Sequence, residues 1–321
     1  MHEQQRIGYW SQLAILLGLV GGGLVLASIA SLGIILTQPG LSMEKLSDSL
    51  QDPKYASLSK WLQLLSSVLM FGLPALIFGY IVKGKVFNYL GFNRRLTSKQ
   101  IGYVCIIAFS ALFVGAALSE LTSLIPLKKS LETRFTKMEE DYSKSIMAIA
   151  NMKNFADYLF VLFLLAVLPA ITEELIFRSC LQKVWIGIFK NAFLGILVTS
   201  VLFSAVHASY YGFLTRLMLG ILLGYIYYFS RNCWLNMLLH FINNAIGVTQ
   251  LYFLSRAGKL NVKSMDDHFP WYISIVSAVV IVYLMTRFKK ESASVVAYEV
   301  ATNATTETYS NNNLYKTEEQ P

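Results

Sequence analysis

Eight polar or ionisable residues stand inside stretches that are otherwise almost wholly apolar: Glu173, Glu174 and Arg178, then His207, then Arg216, then His240, Asn243 and Asn244. A charged group at bilayer depth costs at least about 2.5 kcal/mol on insertion scales, so these groups should face a protein interior and mark a site. On a helix, Glu174 and Arg178 are four apart and share a face where they can pair, while Glu173 points about 100° away. One carboxylate is then committed to a guanidinium, and the other is left free to act as a general base. His240 and Asn244 again lie four apart and offer an imidazole and a carboxamide to one point, two donors that could hold a developing oxyanion. Phe203 and His207 share a face in the same way. Other hydrolytic signatures are missing from the sequence: there is no His-Glu-x-x-His zinc helix and no Gly-x-Ser-x-Gly elbow, and Cys180 is the one thiol near a motif. Nucleophilic catalysis therefore has no candidate.

The elements that must position these residues are membrane helices. The chain has 321 residues, 55% hydrophobic and 14% charged, against roughly a quarter charged in a soluble domain. Eight apolar segments lie near 13–36, 61–82, 101–119, 158–180, 191–207, 213–229, 233–254 and 269–286. Their runs are continuous rather than alternating, and backbone in lipid must satisfy its own hydrogen bonds, so helices follow and barrel strands do not. The expected fold is all-α, a polytopic helical bundle of about eight spans. Small residues at Ala27–Ala30 could end a cleaved signal peptide, but the apolar run continues to Leu36 and is taken as a true span. Gly18 with Gly22, and Gly220 with Gly224, are spaced for close helix contact.

The expected divisions are 1–154 (three spans and a long loop), 155–255 (a core carrying the polar residues), 256–287 (the last span) and 288–321. Within the long loop, 120–157, a helical pattern from Leu131 to Met152 could lie on the membrane surface and gate the site. Residues 288–321 are rich in Ser, Thr, Asn and Glu and are expected to be a disordered tail. The net charge of +8 sits in loops beside spans, where it orients a membrane protein, and does not point to nucleic acid. Placing the cluster Lys83, Lys85, Arg94, Arg95 and Lys99 in the cytoplasm puts both termini there, in a cell membrane. The three cysteines, Cys105, Cys180 and Cys233, lie in apolar segments and form no disulfide framework. If the connection from Glu173 to His207 is a hairpin with its tip near Lys190, those residues sit at equal depth; the same mirror argument misplaces His240 by several residues, so depth stays open.

At these residues the sequence resembles the CAAX protease and bacteriocin-processing family of intramembrane endopeptidases, also called the Abi or type II CAAX prenyl protease family. The motifs Glu-Glu-x-x-x-Arg, Phe-x-x-x-His and His-x-x-x-Asn/Asp stand here as Glu173, Glu174 and Arg178, then Phe203 and His207, then His240 and Asn244, over roughly residues 155–255. The resemblance implies hydrolysis of a peptide bond of a membrane-associated, prenylated or leader-type substrate. Two mechanisms fit it. Glu173 can activate water with help from His207 while His240 and Asn244 stabilise the oxyanion, with no metal. Alternatively Glu173, His207 and His240 bind Zn²⁺ and Glu174 is the base. The first is favoured, because it uses Asn244 and because Arg178 would blunt Glu174. Outside this class, intramembrane Glu and His residues also serve proton-coupled carriers, and the same helices could sequester a peptide without cutting it.

Overall fold

The computed structural model describes residues 7–38, 46–92, 94–150, 152–259 and 270–316. Among them, seven helices are long and apolar enough to cross a bilayer: α1 (Tyr9–Leu36), α2 (Ala56–Lys83), α3 (Ser98–Ser123), α5 (Phe155–Phe189), α7 (Phe213–Ser230), α8 (Cys233–Arg256) and α9, which crosses over Trp271–Ala301 and continues to Lys316. A surface helix, α4 (Lys129–Ala150), and a shorter apolar helix, α6 (Ala192–Ala205), complete the set used below. The chain is an all-helical integral membrane bundle, as its apolar runs require.

The ends of these helices are written locally. Thr97 and Gln100 form a reciprocal capping box at the start of α3. The hairpin joining α5 to α6 turns on Lys190, whose φ of 52° is left-handed, and on Asn191, whose side chain accepts from the Leu194 N–H. Two spans contain a π-helical turn, Val68–Gly72 in α2 and Phe163–Val167 in α5. Each is followed by Leu-Pro, at Pro74 and Pro169. A proline has no N–H to donate and its ring crowds the carbonyl four residues back, so the widened turn absorbs the misfit.

Three apolar clusters hold the bundle. One joins α1, α2 and the C-terminal half of α5. A second joins α3, α7, α8 and α9. The third joins the end of α4 and the start of α5 to the C-terminal half of α8. Helices α6 and α7 approach closely at glycines: a Cβ on Gly220 would meet the Ser200 Cβ at 2.9 Å, and one on Gly224 would meet the Ile196 Cγ2 at 2.7 Å. The expectation for α1 is corrected. Gly18 and Gly22 face open space, and it is Gly23 that packs against Leu69 and Pro74.

From residue 288, where a tail was expected, α9 runs on. Phe288, Ser292, Val295 and Glu299 recur at helical spacing, the first three buried. Ser292 accepts from Gln100 Nε2 at 3.0 Å, Glu291 accepts from Thr97 Oγ1 at 3.1 Å, and Glu299 takes Arg94 Nη1 at 3.1 Å and the Arg95 N–H at 2.6 Å. Polar composition concealed one packing stripe in a helix whose other faces need no apolar cover. Residues 317–321 of that segment lie outside the described residues. The basic loop, the Tyr9 end of α1 beside Gly187, and the α9 extension share one end of the bundle.

Candidate active site

α5 carries Glu173, Glu174 and Arg178. At about 1.5 Å per residue its 35 residues extend about 50 Å, well beyond a bilayer core of about 30 Å. A long π-helical stretch, Leu175–Gln182, follows the paired glutamates and contains Arg178; such turns recur at functional sites. Glu174 is fully buried and Glu173 keeps 17% of its side-chain surface accessible.

Glu174 is committed on every side. Asn236 Nδ2 donates to its Oε2 at 2.7 Å, His240 Nδ1 lies 2.8 Å from its Oε1, and Arg178 Nη1 lies 3.1 Å from Oε1. An ionised carboxylate only accepts, so the proton of that imidazole bond sits on Nδ1 of His240. The other ring nitrogen, Nε2, is turned toward Glu173 Oε2 at 3.9 Å, longer than a hydrogen bond. That Glu173 oxygen is buried and has no hydrogen-bond partner. Of the two adjacent carboxylates, Glu173 is therefore the one open to a third molecule.

Phe203 is the hub of the cluster. The Arg178 guanidinium carbon lies 4.3 Å above its ring, the His207 ring centroid is 5.0 Å away, Phe177 is 5.3 Å away and His240 is 5.9 Å away. The Phe-x-x-x-His spacing thus puts one aromatic surface under a cation and against two imidazoles. His207 Nδ1 faces the Phe203 carbonyl at 2.7 Å, so it is Nε2 that is free to meet a substrate. Ala208 follows with a left-handed φ of 50°, a strained turn for a residue with a side chain.

Asn244 is placed differently from its motif partners. Its Nδ2 donates to the Leu165 carbonyl at 3.2 Å, the carbonyl that Pro169 deprives of its helical partner. A neighbouring helix re-satisfies freed backbone in this way, and the amide keeps a second N–H. Asn236, which the sequence reading passed over, is fully buried against Glu174. The signal was present: Asn236, His240 and Asn244 repeat every fourth residue of α8.

His240 reaches Glu174 although the mirror argument did not place it there. The α7–α8 turn is level with Lys183 rather than with Lys190: Lys183 bonds the Tyr89 carbonyl, and Gly91 two residues on sits against Arg231 and Cys233. Nine residues then separate Glu174 from that level, and nine separate Arg231 from His240. α5 simply runs further past it.

α4 lies on the loop that follows α6. Phe135 stacks on Tyr210 at 4.6 Å and 4°, Glu139 accepts from Ser209 Oγ at 2.8 Å, and Tyr142 faces Arg216 at 5.6 Å. Positions 135, 139 and 142 form one helical face, laid on the loop that carries His207. Among the described residues no three His, Cys, Asp or Glu side chains converge closely enough to hold a metal ion. Glu173, His207 and His240 as placed do not form such a set.

No curated protein and no solved structure matches the chain. The family model described as Type II CAAX prenyl endopeptidase Rce1-like matches residues 155–246, from the start of α5 through Asn244 on α8. Over these residues, which build the Glu173–Glu174–His240 cluster, the chain is similar to the Rce1-like type II CAAX prenyl endopeptidase family.

Proposed function

We propose that the chain is an intramembrane endopeptidase in which Glu173 activates water against a peptide bond of a membrane-associated substrate. One observation carries this reading: beside a carboxylate fully engaged by Arg178, Asn236 and His240 stands a second whose Oε2 has no partner. Glu173 takes a proton from water, which attacks the carbonyl carbon, and returns that proton to the leaving amine. His207 Nε2 orients the water. His240, as imidazolium with its charge matched by Glu174, donates from Nε2 to the oxyanion, and Asn244 adds its second N–H. Glu174, itself held by Asn236 and Arg178, fixes His240 in the orientation this requires. α4 is the gate over this site, and deletion of residues 131–152 with cleavage unchanged would remove it from the mechanism. The protein lies in the cell membrane with both termini in the cytoplasm.

The test compares the membrane proteome and released peptides of cells expressing wild type or Glu173→Ala at matched levels. New termini seen with wild type alone support the endopeptidase and name its substrate. Their absence, with both proteins folded and abundant, overturns it; a phenotype retained in Glu173→Ala would mark a sequestering module, and transport lost without any product a carrier. Cleavage abolished by chelation and restored by Zn²⁺ would replace the metal-free step.

A further inference from the structure

Both helices that carry the Glu174–His240 pair are bonded to one segment, the chain between α2 and α3. Its short helix Val86–Leu90 stops at Gly91, whose φ of 93° is left-handed, and the last carbonyl of such a helix has no helical partner. Ser179 of α5 donates to that Leu90 carbonyl at 2.8 Å and Tyr227 of α7 donates to it at 3.1 Å, with all three residues buried. One residue on, the Gly91 carbonyl accepts from the Cys233 N–H at 3.2 Å. Asn232, the cap of α8, donates from Nδ2 to the Arg94 carbonyl at 3.1 Å. Glu299 braces the same segment from the other side, through Arg94 and the Arg95 N–H. Ser179 lies five residues beyond Glu174, and Asn232 lies four before Asn236 and eight before His240. The segment is thus the spacer on which the meeting of Glu174 and His240 depends.

Ser179 has no part in the mechanism above, yet its hydroxyl is used in an unusual way. Thr172, Thr199, Ser200 and Ser230, buried elsewhere in the bundle, each donate to the carbonyl four residues back in their own helix. Ser179 instead reaches across to another segment, from the middle of the π-helical stretch Leu175–Gln182. Such winding is less favourable than an α-helix and persists where its surroundings hold it. A return to α-helical winding between Ser179 and Glu174 would turn Glu174 on its axis away from His240. Lys183, the other contact of α5 with the segment, bonds the Tyr89 carbonyl through a flexible four-carbon stem that can follow a shift. A hydroxyl on a single carbon cannot. We propose that Ser179 is a positioning residue, whose bond to Leu90 fixes the rotation and depth at which α5 presents Glu174 to His240 and Glu173 to the substrate. This rests on the endopeptidase reading and adds to it a residue outside the reacting groups.

The experiment uses purified full-length protein in mild detergent and an S-farnesylated peptide ending in Cys-aliphatic-aliphatic-X. Ser179→Ala leaves the Leu90 carbonyl to Tyr227, and Tyr227→Phe leaves it to Ser179, so each should lower the unfolding midpoint by no more than about 3 °C. Ser179→Ala should lower kcat about tenfold with KM within about twofold, because the reacting groups are misplaced while the peptide still binds. Tyr227→Phe should keep kcat within about twofold, and Ser179→Thr, which retains the hydroxyl, should regain most of the rate. An unchanged kcat in Ser179→Ala, an equal fall in Tyr227→Phe, or no regain in Ser179→Thr overturns the assignment. Should Ser179→Ala not fold, Ser179→Cys, of the same shape with a weaker donor, takes its place. A second reading needs no cleavage: the midpoint lost on Asn236→Leu should shrink by about half in Ser179→Ala and stay unchanged in Tyr227→Phe. Losses that simply add in Ser179→Ala overturn the positioning role. That coupling in a protein whose wild type cleaves nothing would sink the endopeptidase reading and leave Ser179 as the residue that sets Glu174 against His240.

Discussion

Replacing Arg178 with methionine removes the counter-charge from a carboxylate that water does not reach. The two side chains are 1% and 0% accessible and 3.1 Å apart. Taking one partner from a buried pair costs about 3–5 kcal/mol. Asn236 and His240 still donate to Glu174, so the lower end, about 3 kcal/mol, is expected, a fall in unfolding midpoint on the order of 10 °C. The double variant Glu174→Gln, Arg178→Met buries no charge, and it should recover at least half of the Arg178→Met loss, about 1.5 kcal/mol. It should not recover cleavage, because a carboxamide cannot compensate an imidazolium at His240. Thermal unfolding in mild detergent, followed by tryptophan fluorescence, reads the first quantity; cleavage of a Glu173-dependent substrate reads the second. An Arg178→Met protein that melts with wild type, or a double variant whose losses merely add, would refute the view that Glu174 is a buried ion held by its partners.

Asn236→Leu leaves a Glu174 lone pair unsatisfied and should cost about 1.5–3 kcal/mol, with cleavage falling about tenfold as His240 loses its fixed support; a wild-type rate in a folded variant would remove Asn236 from the site. Gly220→Val should lower the yield of folded protein, because its Cβ would stand 2.9 Å from that of Ser200, and Ser200→Gly should restore part of it; equal yields would refute a tight α6–α7 contact. Exposed Lys137 on α4 and exposed Lys85 lie at opposite ends of the bundle. With both termini cytoplasmic, a membrane-impermeant maleimide should label Lys137→Cys in intact cells and spare Lys85→Cys, and the reverse pattern would turn the site mouth toward the cytoplasm.

Much of this protein was legible in the chain. Runs of apolar residues dictate helices, since lipid offers backbone no other partner. The four-residue spacings within the motifs put Glu174 with Arg178, and Phe203 with His207, on shared faces whatever surrounds them. The turn at Lys190 and Asn191 was likewise readable, because its left-handed residue and its cap are local. Relations between helices were not. That His240 meets Glu174 depends on how far α5 overshoots the α7–α8 turn, and that Gly23 rather than Gly22 makes the contact depends on the rotation of α1 against a π turn in α2. Asn236 and Asn244 look alike on the face of α8, yet one holds the Glu174 carboxylate and the other a carbonyl released by a proline. The stripe at Phe288, Ser292 and Val295 reads as polar tail until α3 supplies the surface it packs on. A helix sets angle and rise from residue to residue by its own backbone bonds, but its depth and rotation against a neighbour are set by side-chain packing across the interface, and these the tertiary structure alone decided.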